Sequence, residues 1–197
     1  IKSYDLADGS LIWECGGMTT NAIPSPVHAD GTVYVMSGFR GSALYAIDLD
    51  QAHGDITDSD AITWSKDRDT PYVPSPLLTE DTLYYVKGNN GILSALDAST
   101  GKLVWHFQMV HHDVWEYDTV GPATLGEITV DGRRIKAVMQ PSKTGFLYVF
   151  DRETGEPVWP IEERPVPQSD VPGEQLSPTQ PFPTKPPPFD MQGFSEN

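Results

Sequence analysis

The densest run of side chains able to do chemistry lies at residues 105–118, WHFQMVHHDVWEYD, which places His111, His112, Asp113, Glu116 and Asp118 within eight positions. Three carboxylates, Asp113, Glu116 and Asp118, stand here among aromatic residues, side chains of the type that general acid–base chemistry uses, and their spacing ranks none above the others. Adjacent histidines on an extended chain point to opposite faces, and the HHD run lacks the HExxH spacing of a helical zinc site. That spacing argues against one metal shared by His111 and His112; on the residues alone, the imidazoles hold a loop by hydrogen bonds. A second chemical candidate is Lys143 in the run Pro141-Ser142-Lys143-Thr144-Gly145. Taken by itself it reads as a solvated lysine before a turn glycine. The lone cysteine, Cys15, has no partner for an internal disulfide and no CxxC pair, and reads as a buried thiol.

What could position these groups is legible in the punctuation. The 197 residues include 17 Gly and 18 Pro, too many for long helices and suited to short strands closed by turns. Hydrophobic residues make up 38% and charged residues 21%, as in a globular protein, and no apolar run reaches the length of a membrane-spanning helix. The net charge of −15 repels phosphate and argues against nucleic acid as a partner.

An internal repeat organises the chain. Tyr4-Asp5 to Trp13, Leu96-Asp97 to Trp105 and Phe150-Asp151 to Trp159 share one pattern, with Trp eight residues after Asp and a Gly between. Ile47-Asp48 starts a fourth copy that reaches Trp64 after sixteen positions, lengthened by a polar loop around His53 to Asp60. The aspartates recur 43, 49 and 54 residues apart, the period of a four-stranded propeller blade. Within each unit, β-branched and aromatic runs such as Thr32–Ser37 and Ala43–Asp48 alternate with Asp-Gly and Gly signals. The fold expected is all-β, a partial β-propeller with about three four-stranded blades at 22–64, 73–105 and 120–159, preceded by a closing hairpin at 1–13. In each copy Asp and Gly close a tight hairpin, and the Trp after it lies on the outer strand to dock against the neighbouring blade; Trp13, Trp64, Trp105 and Trp159 are assigned this structural part. Residues 1–159 form the propeller portion. Residues 160–197 form a Pro-rich connecting segment, since 11 of the 18 prolines fall from Pro157 onward.

The AxDxxTGxxxW unit resembles the tryptophan-docking motif of pyrroloquinoline quinone (PQQ) propellers, which occurs in quinoprotein dehydrogenases and in non-catalytic assembly-factor propellers. Residues 1–105 resemble the generic PQQ-like repeat. From about Trp105 to Phe189 the chain resembles membrane-bound glucose-dehydrogenase-type quinoproteins. The resemblance is carried by the WxFQxVHHDxW run, by Pro141-Ser142-Lys143-Thr144-Gly145, and by Ser177-Pro178-Thr179-Gln180-Pro181-Phe182-Pro183. It implies an eight-bladed ring, of which this chain is less than half, so that the remaining blades or a second chain are needed to close it. It also implies Glu116 as catalytic base, Lys143, 27 positions later, as a PQQ contact, and His111, His112 and Asp113 as lining of the same mouth. The family has Asp where this chain has Glu116, a stem longer by about 1.5 Å.

The implied reaction is oxidation of an alcohol or sugar hydroxyl with PQQ and Ca²⁺ as cofactors, with a quinone or cytochrome as electron acceptor, on the periplasmic or extracytoplasmic face of the inner membrane. Calcium ligands are not recognisable in the sequence; Asn89 and Asn90 sit in a Gly-Asn-Asn-Gly run that a tight turn explains. The alternative function is a non-enzymatic PQQ-like propeller serving as scaffold or protein-binding module.

Overall fold

In a computed structural model, residues 1–79, 81–87, 91–119 and 121–189 are described, and all regular structure among them is strand. Asn89 and Asn90 lie outside the described residues. Among the described residues no helix is long and apolar enough to cross a membrane.

The first hairpin pairs β1 (Lys2–Tyr4) with β2 (Leu11–Glu14). The second unit is a four-stranded antiparallel sheet of β3 (Val27–Ala29), β4 (Thr32–Ser37), β5 (Ala43–Asp48) and β7 (Ile62–Lys66). The third repeats it with β8 (Leu77–Leu78), β9 (Thr82–Lys87), β10 (Ile92–Asp97) and β11 (Leu103–Gln108). The fourth holds β12 (Thr124–Val130), β13 (Arg133–Pro141) and β14 (Leu147–Asp151). These sheets stack as consecutive blades of a partial β-propeller.

The repeat acts by one local rule. Gly101 and Gly155 take φ of 67° and 78°, which lets their N–H groups donate to Asp97 O and Asp151 O, each at 2.8 Å. The bare face of each glycine then receives a tryptophan from the preceding blade. Trp64 Nε1 donates to Ala98 O and Trp105 Nε1 to Arg152 O, both at 3.0 Å. Tyr34 and Tyr84 reach the same two carbonyls from the same blades, at 3.0 and 2.9 Å. Three apolar clusters fill the junctions, and the last gathers Tyr84, Leu93, Trp105, Met109, Val138, Tyr148 and Phe150.

The lengthened copy departs from the rule. Position 52 is Ala where the other copies have Gly, and the loop read as a polar insertion forms β6 (Gly54–Asp55), which pairs in parallel with β2 through Trp13↔Gly54. Ala52 and Ile56 are buried against Trp13 and Cys15, so the insertion straps the first hairpin to the next blade. Cys15 is a free, buried thiol, and that burial pushes its pKa up.

The last blade holds three strands instead of the four expected. Its outer strand is reduced to a bridge between Phe150 and Pro157, followed by Val158 N–H donating to Val149 O at 2.9 Å. Pro157 and Pro160 lack the N–H that would extend the ladder. Trp159 consequently lies beyond the bridge and is half-buried, off any strand.

Beyond it, β15 (Ile161–Pro165) pairs with β16 (Thr179–Pro183). For a segment so rich in proline the composition alone suits polyproline II or disorder. Here it folds back on its own blade: Tyr148 donates to Pro181 O at 2.9 Å, and Phe182 meets Phe146 edge-on at 5.2 Å.

Candidate functional site

Residues 109–119 leave β11 and cross the end of the last blade without regular structure, and the returning β15–β16 hairpin holds their start in place. His111 N–H donates to Gln180 Oε1 at 2.8 Å, and Gln180 Nε2 donates to His111 O at 3.1 Å. His112 O accepts the Ser177 N–H at 3.0 Å. The His111 ring reaches Glu163 at 3.0 Å. Partial burial of Glu163 raises its pKa, but the hydrogen bonds from His111 and Thr179 outweigh this and leave it below the usual carboxylate value. Half-buried His111 thus ties a loop to a hairpin, while the His112 side chain is exposed.

The three acids take different parts. Asp113 Oδ2 accepts the Tyr117 N–H at 3.0 Å and closes a turn. Inside that turn Glu116 has φ of 55°, a left-handed conformation uncommon for a long L side chain, and its side chain is exposed. Asp118 Oδ2 lies 3.6 Å from Lys143 Nζ, so the lysine stands beside the acidic loop and faces Asp118 directly.

Lys143 is carried on the turn between β13 and β14. Ser142 N–H donates to Phe146 O and Gly145 N–H donates to Ser142 O, both at 3.1 Å, with Gly145 at φ of 81°. Gln140, fully buried just before this turn, donates through Nε2 to Gly121 O at 3.0 Å and so ties the lysine turn to the end of the acidic loop.

Two buried oxygens lie on these same segments without a hydrogen-bond partner among the described residues, Thr119 Oγ1 and Gln140 Oε1. Leaving such an atom unpaired costs about 1–3 kcal/mol, so each is a place for a water or a ligand polar group. The sequence assigned no part to Gln140, Thr119 or Gln180, although Gln180 stands in the Ser177–Pro183 run; their importance comes from burial across segments distant in sequence.

PQQ is a flat quinone bearing carboxylates. The described residues fit one edge of such a group: a half-exposed ammonium at Lys143 to meet an anionic oxygen, and the stacked Trp115–Tyr117 pair, with centroids 5.5 Å apart, to meet a flat ring. Calcium asks for six to eight oxygens, several from carboxylates. Among the described residues no three acidic, histidine or cysteine side chains gather, and Asp113 and Asp118 are engaged elsewhere. The described residues by themselves do not fit calcium.

Comparison with known proteins bears on the same segments. The family described as glucose/ethanol/alcohol dehydrogenase, beta-propeller domain, matches residues 61–197, and that described as outer membrane protein assembly factor BamB matches residues 1–114. The chain is 34% identical over 184 residues to the quinoprotein glucose dehydrogenase of Escherichia coli, covering 92% of this chain and 21% of that protein. It is 48% identical over 90 residues to the glycerol dehydrogenase large subunit of Gluconobacter oxydans, covering 45% of this chain and 12% of the relative. A solved quinohemoprotein alcohol dehydrogenase from Pseudomonas putida superposes with a TM-score of 0.66 at 19% identity, over 84% of this chain and 33% of that one. The Escherichia coli relative aligns across both halves of the chain. The chain spans about a fifth of the length of the longer curated relatives it matches.

Proposed function

Because the chain belongs to the family of glucose/ethanol/alcohol dehydrogenase β-propeller domains, we propose that it forms part of a PQQ-dependent dehydrogenase that oxidises an alcohol or sugar hydroxyl. One observation carries the reading at the level of geometry: the acidic loop with Glu116 and the turn with Lys143 meet at the same end of the last blade, 3.6 Å apart at Asp118 and Lys143.

In this reading Glu116 is the base. Asp113 is spent on the Tyr117 N–H and Asp118 faces Lys143, which leaves the exposed Glu116 carboxylate to take a hydroxyl proton from substrate. Its left-handed backbone, closed by the Asp113 turn, fixes the direction in which the longer glutamate stem leaves the loop. Lys143 offers ammonium hydrogens to an oxygen that gains negative charge, and Asp118 steadies that ammonium. Bound PQQ supplies a quinone able to accept two electrons from the alcohol carbon as hydride. His111 acts on the loop through Glu163 and Gln180. Calcium, a quinone or cytochrome acceptor, and an extracytoplasmic location belong to the same proposal.

The test is reconstitution, in the protein with its propeller ring complete, with PQQ and Ca²⁺, followed by a dye-linked assay across alcohols and sugars. Retained quinone absorbance with turnover that Glu116→Gln lowers by about 10²–10⁴-fold supports the reading. Loss of the quinone on washing together with absent turnover refutes it and favours the non-enzymatic propeller.

A further inference from the structure

Directly beside the candidate base lies a cavity of about 310 Å³. It is lined by Trp115 and Tyr117, the two neighbours of Glu116 in the chain, by Met109, Phe146, Phe182 and Val166, and by Thr144, next to Lys143. The returning Pro-rich segment builds half of it, so the fold-back of β15–β16 creates the site.

Three features define what fits. The lining residues include no lysine, arginine, aspartate or glutamate, so nothing there compensates a ligand charge. Two of its polar side chains are already engaged: Gln180 holds His111 through both amide atoms, and the Tyr148 hydroxyl lies 3.0 Å from Met109 O and 2.9 Å from Pro181 O. A sugar ring would lose water from several hydroxyls and find few partners, whereas an apolar ring loses nothing. At about 30 Å³ for each water displaced, the volume corresponds to roughly ten small-atom groups, the size of a single ring with a short substituent.

We propose that this cavity binds the apolar body of a neutral monocyclic alcohol, and that the substrate class is therefore an alcohol with an apolar ring instead of a free sugar or a carboxylated polyol. The role as substrate pocket rests on the dehydrogenase reading; the binding itself does not.

The experiment uses the full chain without PQQ, so its outcome is separate from that of the reconstitution assay. Benzyl alcohol, glucose and benzoate are titrated and followed by saturation-transfer NMR and tryptophan fluorescence. Benzyl alcohol is expected to saturate one site, while glucose and benzoate at equal concentration show none. Trp115→Ala, at a partly exposed position that the core does not need, is expected to weaken benzyl alcohol about tenfold. Val166→Asp, which puts a charge on the wall, is expected to abolish binding with the circular dichroism spectrum retained. Leu6→Ser, on the remote first hairpin, is expected to leave binding unchanged. Binding of glucose or benzoate as tight as that of benzyl alcohol, or undiminished affinity in Trp115→Ala, overturns the proposal.

Discussion

Replacing Gly155 by alanine tests the docking rule that stacks the blades. An ideal Cβ at Gly155 would stand 2.6 Å from Trp105 Cγ, 2.7 Å from Cδ2 and 2.9 Å from Cβ, and the residue sits at φ of 78°. The left-handed backbone costs an L residue about 1–2 kcal/mol. Forcing the indole aside adds about 1–3 kcal/mol, since Trp105 is also held by its hydrogen bond to Arg152 O and packed against Phe150. Gly132 is the matched control: its φ is also 78°, and nothing lies within 4 Å of its Cβ direction. Both substitutions change the unfolded chain equally, so the difference between them isolates the clash. In a chain of this length about 1–3 kcal/mol corresponds to roughly 2–12 °C in Tm, read by thermal circular dichroism. Trp105→Leu removes the ring, and in that background Gly155→Ala is expected to cost no more than Gly132→Ala. Equal loss from Gly155→Ala and Gly132→Ala in the native background refutes the reasoning, as does a penalty that survives in Trp105→Leu.

Ile56→Ala empties the strap beneath Trp13, where Ile56 is 2% exposed, and is expected to lose about 2–5 kcal/mol in urea titration despite lying in a loop by sequence. Glu116→Asn suits the left-handed backbone better than glutamate and is expected to hold or raise Tm while abolishing turnover of the reconstituted enzyme; retained turnover removes Glu116 from the role of base. Asp97 is held below its ordinary carboxyl value of 3.8 by hydrogen bonds from Ser99 and Thr100. A carboxylate lowered on folding stabilises fully above its unfolded pKa and loses that contribution as pH falls through the lowered value. The Tm gap between the native chain and Asp97→Asn is therefore expected to be widest at neutral pH and to close below pH 3.8; a gap independent of pH would falsify the hairpin assignment.

The propeller was readable because its rule is local. A glycine at positive φ four residues after an aspartate makes the same hairpin wherever it occurs, and the tryptophan eight residues after the aspartate inherits its place from that turn. The same locality explains the failures. The loop around Ile56 looked polar because its pairing partner, Glu14, lies some forty residues earlier, and the last outer strand looked complete because a periodic pattern does not register the N–H that Pro157 lacks.

For the site, residue types and spacing by themselves offered three acids, two histidines and a lysine without ranking them. The sequence alone determined the repeat, the turns and the identity of the chemical groups, because those depend on neighbours along the chain. Only the tertiary structure decided that Asp118 faces Lys143, that Asp113 closes a turn, that His111 is tied to Glu163 and Gln180, and that a cavity opens between Trp115 and Phe182. Those relations join residues tens of positions apart, and they exist because the proline-rich segment gains more by covering Phe146 and Tyr148 than by remaining in water.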